Sequence, residues 1–233
     1  MNCVANGKIL KNRFANKNLI QNTGLLRLAP DLSTLGTREP TNDAEWLKEY
    51  FLKSYHEKKI KNEDLNRLSI KEYKNSKKIP VCIILDNVRS LNNIGSCFRT
   101  ADAFLIKKMY LTGFTAKPPS RDIERTALGA TDSVEWEHVK EIKKLIIQLK
   151  KEGWKIILVE QTDKSIDLKD FKPFFSEKYV FIFGNEVFGV SEDALKEANA
   201  ALEIPQFGTK HSFNISISIG IILWDYHIKT NIK

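Results

Sequence analysis

The chain has 233 residues, 42% hydrophobic and 28% charged, which suits one large domain or a domain with an appendage and excludes disorder throughout. Its longest apolar stretch, Phe213 to Trp224, is broken by Asn214, Ser216, Ser218 and Gly220 and is shorter than the ~20 residues of a membrane span, so no transmembrane helix is expected. The formal net charge of +8 is laid down unevenly, with 16 Lys and Arg against 9 Asp and Glu in residues 1–80 and 21 against 20 in residues 81–233.

Residues 1–30 carry Lys8, Lys11, Arg13, Lys17 and Arg27 and no acid before Asp31. Clustered cations neutralise phosphates, so this segment reads as polyanion-binding, with a solvated tail or a transit peptide as the alternatives. It lacks the apolar core of a secretory signal, and a reducing, cytoplasmic compartment is expected. Pro, Gly, Thr and Asp without periodicity make residues 31–43 a linker, so 1–43 is expected to be a basic, poorly ordered tail. Residues 44–78 read as a helical extension. Asp43 can cap a helix in which Trp46, Leu47, Tyr50 and Phe51 share a face, and Ser69 and Glu72 have capping-box spacing for a second, short helix.

From Ile79 the pattern changes to short apolar runs separated by helical periodicity, the mark of buried parallel strands. Strands are predicted at 81–85, 108–113, 155–160, 179–184 and 201–205. Helices are predicted at 94–104, 139–152, 192–198 with Ser191 as N-cap, and 213–228. The alternation is α/β with a mostly parallel sheet flanked by helices, occupying residues 79–233. Ligands of such sheets sit at the carboxyl ends of the strands, which directs attention to the segments after Leu85, Gly113, Gly184 and Pro205. Cys3, Cys82 and Cys97 and the four histidines are scattered without ligand spacing, so neither a disulfide framework nor a protein-held metal is expected.

Three segments carry candidate chemistry. After the first strand, Asn93 can cap a helix that places Arg99 on a different azimuth from Ile94 and Phe98, where it meets either an anion or a carboxylate such as Asp102 or Asp86. After the fourth strand, Gly184-Asn185-Glu186 leads into a turn with a second glycine, Gly189, which lets the backbone approach a small ligand or simply turns into a capped helix. Neither a P-loop nor a dinucleotide fingerprint is present. The third segment, from Ile204 to Ser218, alternates polar and apolar residues where a helix is about to start.

Taken together, N-x-G-x-x-x-R from Asn93, F-G-N-E-x-x-G from Phe183 and I-P-x-x-G-x-x-x-S-x-N-x-S-x-S from Ile204 resemble the SpoU (TrmH) family of RNA 2′-O-ribose methyltransferases, of the SPOUT class, over roughly residues 79–228. The resemblance implies a deep C-terminal trefoil knot, a homodimer with its active site at the subunit interface, and S-adenosylmethionine as cofactor. It implies Arg99 as the catalytic arginine, with Asn93, Glu186, Ser212 and Asn214 completing the site. Gly184, Ile204, Gln206 and Phe213 would contact the cofactor, although Gln206 stands where Met is common and Phe213 where Leu is common. A ribose hydroxyl is a very weak acid, so Arg99 would act as base or, as a cation with a pKa above ~12, stabilise the developing alkoxide and grip a neighbouring phosphate. The RNA substrate would be tRNA or rRNA. A catalytically inactive RNA-binding protein of the same fold, or a base methyltransferase, are the competing readings.

Overall fold

The computed structural model describes residues 59–230. The basic tail and the start of the helix expected from Ala44 therefore lie outside the described residues. Asn62–Leu65 makes one 3-10 turn. From residue 66 onward the chain runs α1 (Ile70–Asn75), β1 (Ile79–Asp86), α2 (Leu91–Ala103), β2 (Ile106–Thr112), α3 (Arg121–Ala127), α4 (Ala130–Ser133), β3 (Trp136–Val139) and α5 (Ile142–Lys151). It continues through β4 (Trp154–Val159), β5 (Ile166–Asp167), β6 (Lys178–Phe183), α6 (Glu192–Glu197), β7 (Ala200–Glu203) and α7 (Ile215–Thr230).

The seven strands form one sheet in the order β3-β2-β1-β6-β4-β7-β5, with every pairing parallel. A parallel sheet must be covered on both faces, and the central strands show how the sequence arranges it. Along β1, Val81, Ile83 and Leu85 point to the face covered by α2 and α7, while Cys82 and Ile84 point to the face covered by α5. In β6, Phe181 and Phe183 share the first face, Val180 and Ile182 the second. α5 presents Ile142, Leu145, Ile146 and Leu149 at helical spacing, and all are buried. Truncating one of these Ile, Leu or Phe side chains to alanine removes roughly 2–5 kcal/mol.

The five predicted strands are present with ends moved by one or two residues, and two more, β3 and β5, were not expected. β3 is an edge strand whose residues are all part- or fully exposed, and β5 has only two residues. The capping box at Ser69 is complete, with Glu72 N donating to Ser69 Oγ and Ser69 N donating to Glu72 Oε2. Ser191 caps α6 as expected. Asn93 does not cap α2, however. Ser90 does, its hydroxyl accepting from Asn93 N at 3.3 Å, and Asn93 becomes the third helical residue with its amide free for other partners.

β6 lies between β1 and β4, two strands that precede it in sequence, so the carboxyl ends of β1, β6, β4 and β7 come side by side. No helix among the described residues is long and apolar enough to cross a membrane.

Candidate active site

The loops leaving those four strands enclose a cleft of about 590 Å3. Its floor is tied by buried polar groups. Asp86, at the end of β1, accepts from Ser191 N and from Asn87 Nδ2, both at 2.8 Å, and so pins the start of α6 to the end of β1. Asn87 O accepts from Asn185 Nδ2 at 2.7 Å, and Asn185 Oδ1 accepts from Val187 N and Phe188 N at 2.9 and 3.1 Å. The loops after β1 and β6 are thereby locked to each other.

Two glycines shape the turn after β6. A Cβ on Gly184 would collide with the backbone of Gly189 and Val190. Gly189 has φ +69°, a left-handed conformation, and a Cβ there would run into the Glu160 carboxylate. Glu160, one residue beyond β4, accepts from Val190 N at 3.1 Å and Gln161 N at 3.0 Å.

One side of the cleft is a chain of polar side chains drawn from three distant segments. Glu186 accepts from Arg89 N and Ser90 N, both at 3.2 Å, and from Asn93 Nδ2 at 3.3 Å. Asn93 Oδ1 accepts from Asn214 Nδ2 at 3.0 Å, and Asn214 Oδ1 accepts from Ser216 N and Oγ at 2.9 and 2.7 Å. Partial burial pushes the Glu186 carboxyl up. The hydrogen bonds from its own backbone, from Arg89 and Ser90, and from the Asn93 amide outweigh that and hold it below the ordinary carboxylate range. An ionised carboxylate beside the first N–H groups of α2 also complements the positive end of that helix.

Asn93, Glu186, Asn214, Ser212, Gly184, Ile204, Gln206 and Phe213, expected at one site from sequence, all line this cleft. Gln206 Nε2 donates to His211 O at 3.2 Å and closes the loop upon itself. Among the described residues the main chain of 206–213 pairs with no other backbone group, so apart from His211 O its donors and acceptors are available to a ligand. Arg99 is the exception. It is exposed on α2 and lies on the wall of a separate hollow of about 450 Å3, with Arg67, Tyr73, Asp102 and Ser133. Nor does it meet a carboxylate: it has no ion-pair partner among the described residues. Asp102 instead accepts from the Ser133 hydroxyl, and Asp86 is engaged as described.

Sequence reasoning missed Glu160, which also lines the cleft, and the tying role of Asp86; Ser218, the last serine of the third motif, lines it too. Glu160 is the last residue of the strand predicted at 155–160, so the rule that ligands gather at strand carboxyl ends could have flagged it. No group of His, Cys, Asp and Glu that could hold a metal occurs among the described residues. Burial pushes the Cys82 thiol up to about 12 and raises the fully buried Cys97 further, so neither supplies a thiolate nucleophile at neutral pH.

The sequence model of the SpoU rRNA Methylase family matches residues 80–224. A 23S rRNA (guanosine-2′-O-)-methyltransferase, RlmB, of Neisseria meningitidis is 27% identical over 144 residues, 62% of this chain and 56% of that protein. A tRNA (guanosine(18)-2′-O)-methyltransferase of Aquifex aeolicus is 27% identical over 144 residues, 61% of this chain and 66% of that one. The chain thus spans less than two thirds of the length of either relative. The crystal structure of an AdoMet-bound rRNA methyltransferase from Sinorhizobium meliloti superposes with a TM-score of 0.61 at 26% identity, covering 67% of this chain and 59% of that one.

Proposed function

The chain belongs to the SpoU rRNA methylase family, and on that premise we propose that it transfers the methyl group of S-adenosylmethionine to a ribose 2′-OH of tRNA or rRNA. The observation that carries this reading is the Glu186–Asn93–Asn214 chain, which closes one side of a cleft whose other walls are main-chain loops. The cofactor fits the site. A cleft of about 590 Å3 is within the range of small-molecule sites, and the main chain of 206–213, which pairs with no other backbone group, offers donors and acceptors to an adenosine. When bound, S-adenosylmethionine supplies a methyl group on a positively charged sulfur, open to in-line displacement without a metal.

The chain's own residues then have defined tasks. Gly184, Ile204, Gln206 and Phe213 hold the cofactor, largely through the backbone. Ser212 and Asn214 orient the methionine end, and Asn93, steered by the Glu186 carboxylate, orients the hydroxyl. Arg99 donates hydrogen bonds to the oxygen as negative charge develops and to the adjoining RNA phosphate, while the hydroxyl proton passes to water as the oxygen–methyl bond forms and the methyl–sulfur bond breaks to leave a neutral thioether. Since Arg99 does not line its own chain's cleft, this assignment requires a homodimer in which it serves the cleft of the partner. Support for the dimer comes from α7, whose Ile217, Trp224 and Ile228 are exposed on one stripe with Ile221 half-buried between them.

In this reading residues 79–233 are the methyltransferase domain, with its C-terminal part tied in a trefoil knot around β6. Residues 44–78 are a helical extension, and 1–43 a basic tail that adds phosphate contacts. The protein acts in the cytoplasm, where its RNA is modified. The test is transfer of labelled methyl from S-adenosylmethionine to tRNA and rRNA taken from cells lacking the protein. Arg99→Ala and Asn214→Ala should each abolish transfer alone. A mixed dimer carrying one of each should regain one working cleft, because the cleft with Asn214 intact receives the intact Arg99. Mixed dimers as inactive as the parents would refute the shared site, and no transfer by the unaltered protein would refute the reaction.

A further inference from the structure

Between Val187 and Gly189, which line the cleft, Phe188 is 75% exposed with the Arg89 guanidinium 5.8 Å from its ring centroid, and Phe114, 90% exposed, lies on a loop tied to Asn87. These residues come from three different loops, yet one pair of asparagines holds them together. Asn87 Oδ1 accepts from Phe114 N at 3.0 Å, and Asn87 O accepts from Asn185 Nδ2 at 2.7 Å. Asn185 Oδ1 in turn accepts from Phe188 N at 3.1 Å. Arg89 is anchored through its backbone N–H to Glu186. Asn87 has φ +57°, a left-handed conformation that asparagine adopts more readily than most residues. The bracket therefore fixes two aromatic rings and a cation at the rim while leaving the rings in water, beside a cleft that Asn185, Glu186 and Val187 line.

We propose that Phe114, Phe188 and Arg89 form a stacking rim that receives unpaired RNA bases next to the ribose entering the cleft. The proposal rests on the reading of the cleft as a ribose 2′-O-methylation site and adds how the RNA is held there. A ribose inside a regular duplex is flanked by stacked, paired neighbours, so delivering its hydroxyl to the floor of a cleft requires neighbouring bases to be unstacked. Aromatic rings at the mouth replace the lost stacking, and they do so for any base because every base has a π-face. A guanidinium beside a ring adds a planar cation that stacks on a base or pairs with the phosphate linking it. The Arg89 guanidinium beside the Phe188 ring gives the rim a cation next to an aromatic face, a pairing that suits a base joined to a phosphate.

The experiment compares binding of a fluorescein-labelled single-stranded oligoadenylate with that of an abasic phosphodiester of the same length. The full chain should bind the oligoadenylate more tightly. Phe188→Ala and Phe114→Ala should each weaken oligoadenylate binding by roughly 5- to 100-fold and leave abasic binding unchanged. Phe188→Trp should keep the affinity, its indole fluorescence quenched on binding, whereas Phe188→Leu should behave as the alanine variant. Phe175→Ala serves as control, since Phe175 is 66% exposed but precedes the amino end of β6, the end away from the cleft, and it should change nothing. Equal affinity for the two probes, or equal losses on both in the alanine variants, overturns the rim. A Phe188→Ala variant whose mass in solution falls to that of a monomer also overturns it, because the ring would then cover a second copy. Methyl transfer is scored separately: base-dependent binding without transfer supports the rim and counts against the proposed reaction.

Discussion

Replacing Glu186 with glutamine removes one charge while keeping the shape of the side chain, and its consequences can be worked out from three hydrogen bonds. The carboxylate accepts from Arg89 N and Ser90 N at 3.2 Å and from Asn93 Nδ2 at 3.3 Å, and it sits at the positive end of α2. Hydrogen bonds to a buried charge contribute ~1.5–3 kcal/mol each, but these are long and solvent-shared, so ~1–2 kcal/mol for the whole group is the appropriate scale. For a chain of this size that corresponds to a melting temperature lower by roughly 2–8 °C. The pH dependence has a definite sign. The folded pKa is depressed, so the stabilisation is fully present above the ordinary carboxylate value of 4.5 and is lost as pH falls through the lowered folded value. Thermal unfolding of the two proteins from pH 7 downward should therefore show a gap that is widest at neutral pH and closes in acid. Methyl transfer by Glu186→Gln should also fall, because the Asn93 amide loses its anchor. A gap that is absent at pH 7, or that stays constant into acid, would show that the charge does not hold this corner of the site.

Gly184→Ala places a methyl group against the Gly189 and Val190 backbone, so it should lower stability by about 1–3 kcal/mol and weaken S-adenosylmethionine binding by calorimetry. Calorimetry in the presence of chelator should give the parent's cofactor affinity unchanged, and a chelator-sensitive affinity would contradict metal-free binding. Deleting residues 1–58 should reduce the slope of log RNA affinity against log salt by roughly 0.7 to 0.9 for each phosphate that the tail no longer neutralises, with turnover at saturating RNA kept within about tenfold. An unchanged slope would make the N-terminal charge a bystander. Trp224→Glu puts a charge in the exposed stripe of α7 and should yield a monomer by light scattering, without methyl transfer.

Which parts of the molecule could be read from sequence depends on how strongly each residue pattern constrains its alternatives. β1 and β6 were legible because Val81 to Leu85 and Tyr179 to Phe183 are unbroken apolar runs, which only a strand covered on both faces accommodates. β3 was not, because Trp136 to Val139 mixes polar and apolar residues at a sheet edge where pairing rather than burial defines the strand. α3 and α4 were also invisible: Ser120 precedes α3 without capping it, and the turn between them depends on Leu128 and Gly129 adopting positive φ. At the site, the motifs pointed to Asn93, Glu186 and Asn214, and the fold joins these three by hydrogen bonds. The cap was misassigned because Ser90 and Asn93 are both good capping residues three positions apart, and only the backbone decides between them.

Arg99 shows where reading a single chain stops. On an α-helix six residues correspond to about 600°, so Arg99 lies roughly 120° around α2 from Asn93. A rigid helix that turns Asn93 toward Glu186 and Asn214 cannot turn Arg99 toward the same cleft, and the structure accordingly puts it at a separate hollow. The motif nevertheless holds the two residues at a fixed spacing on one helix. If both act in one reaction, α2 must serve two clefts at once, its Asn93 face in its own chain and its Arg99 face in another. The six-residue spacing is then itself a requirement for a second copy, and the exposed stripe of Ile217, Trp224 and Ile228 on α7, which packs against α2, gives that copy an apolar surface to bury.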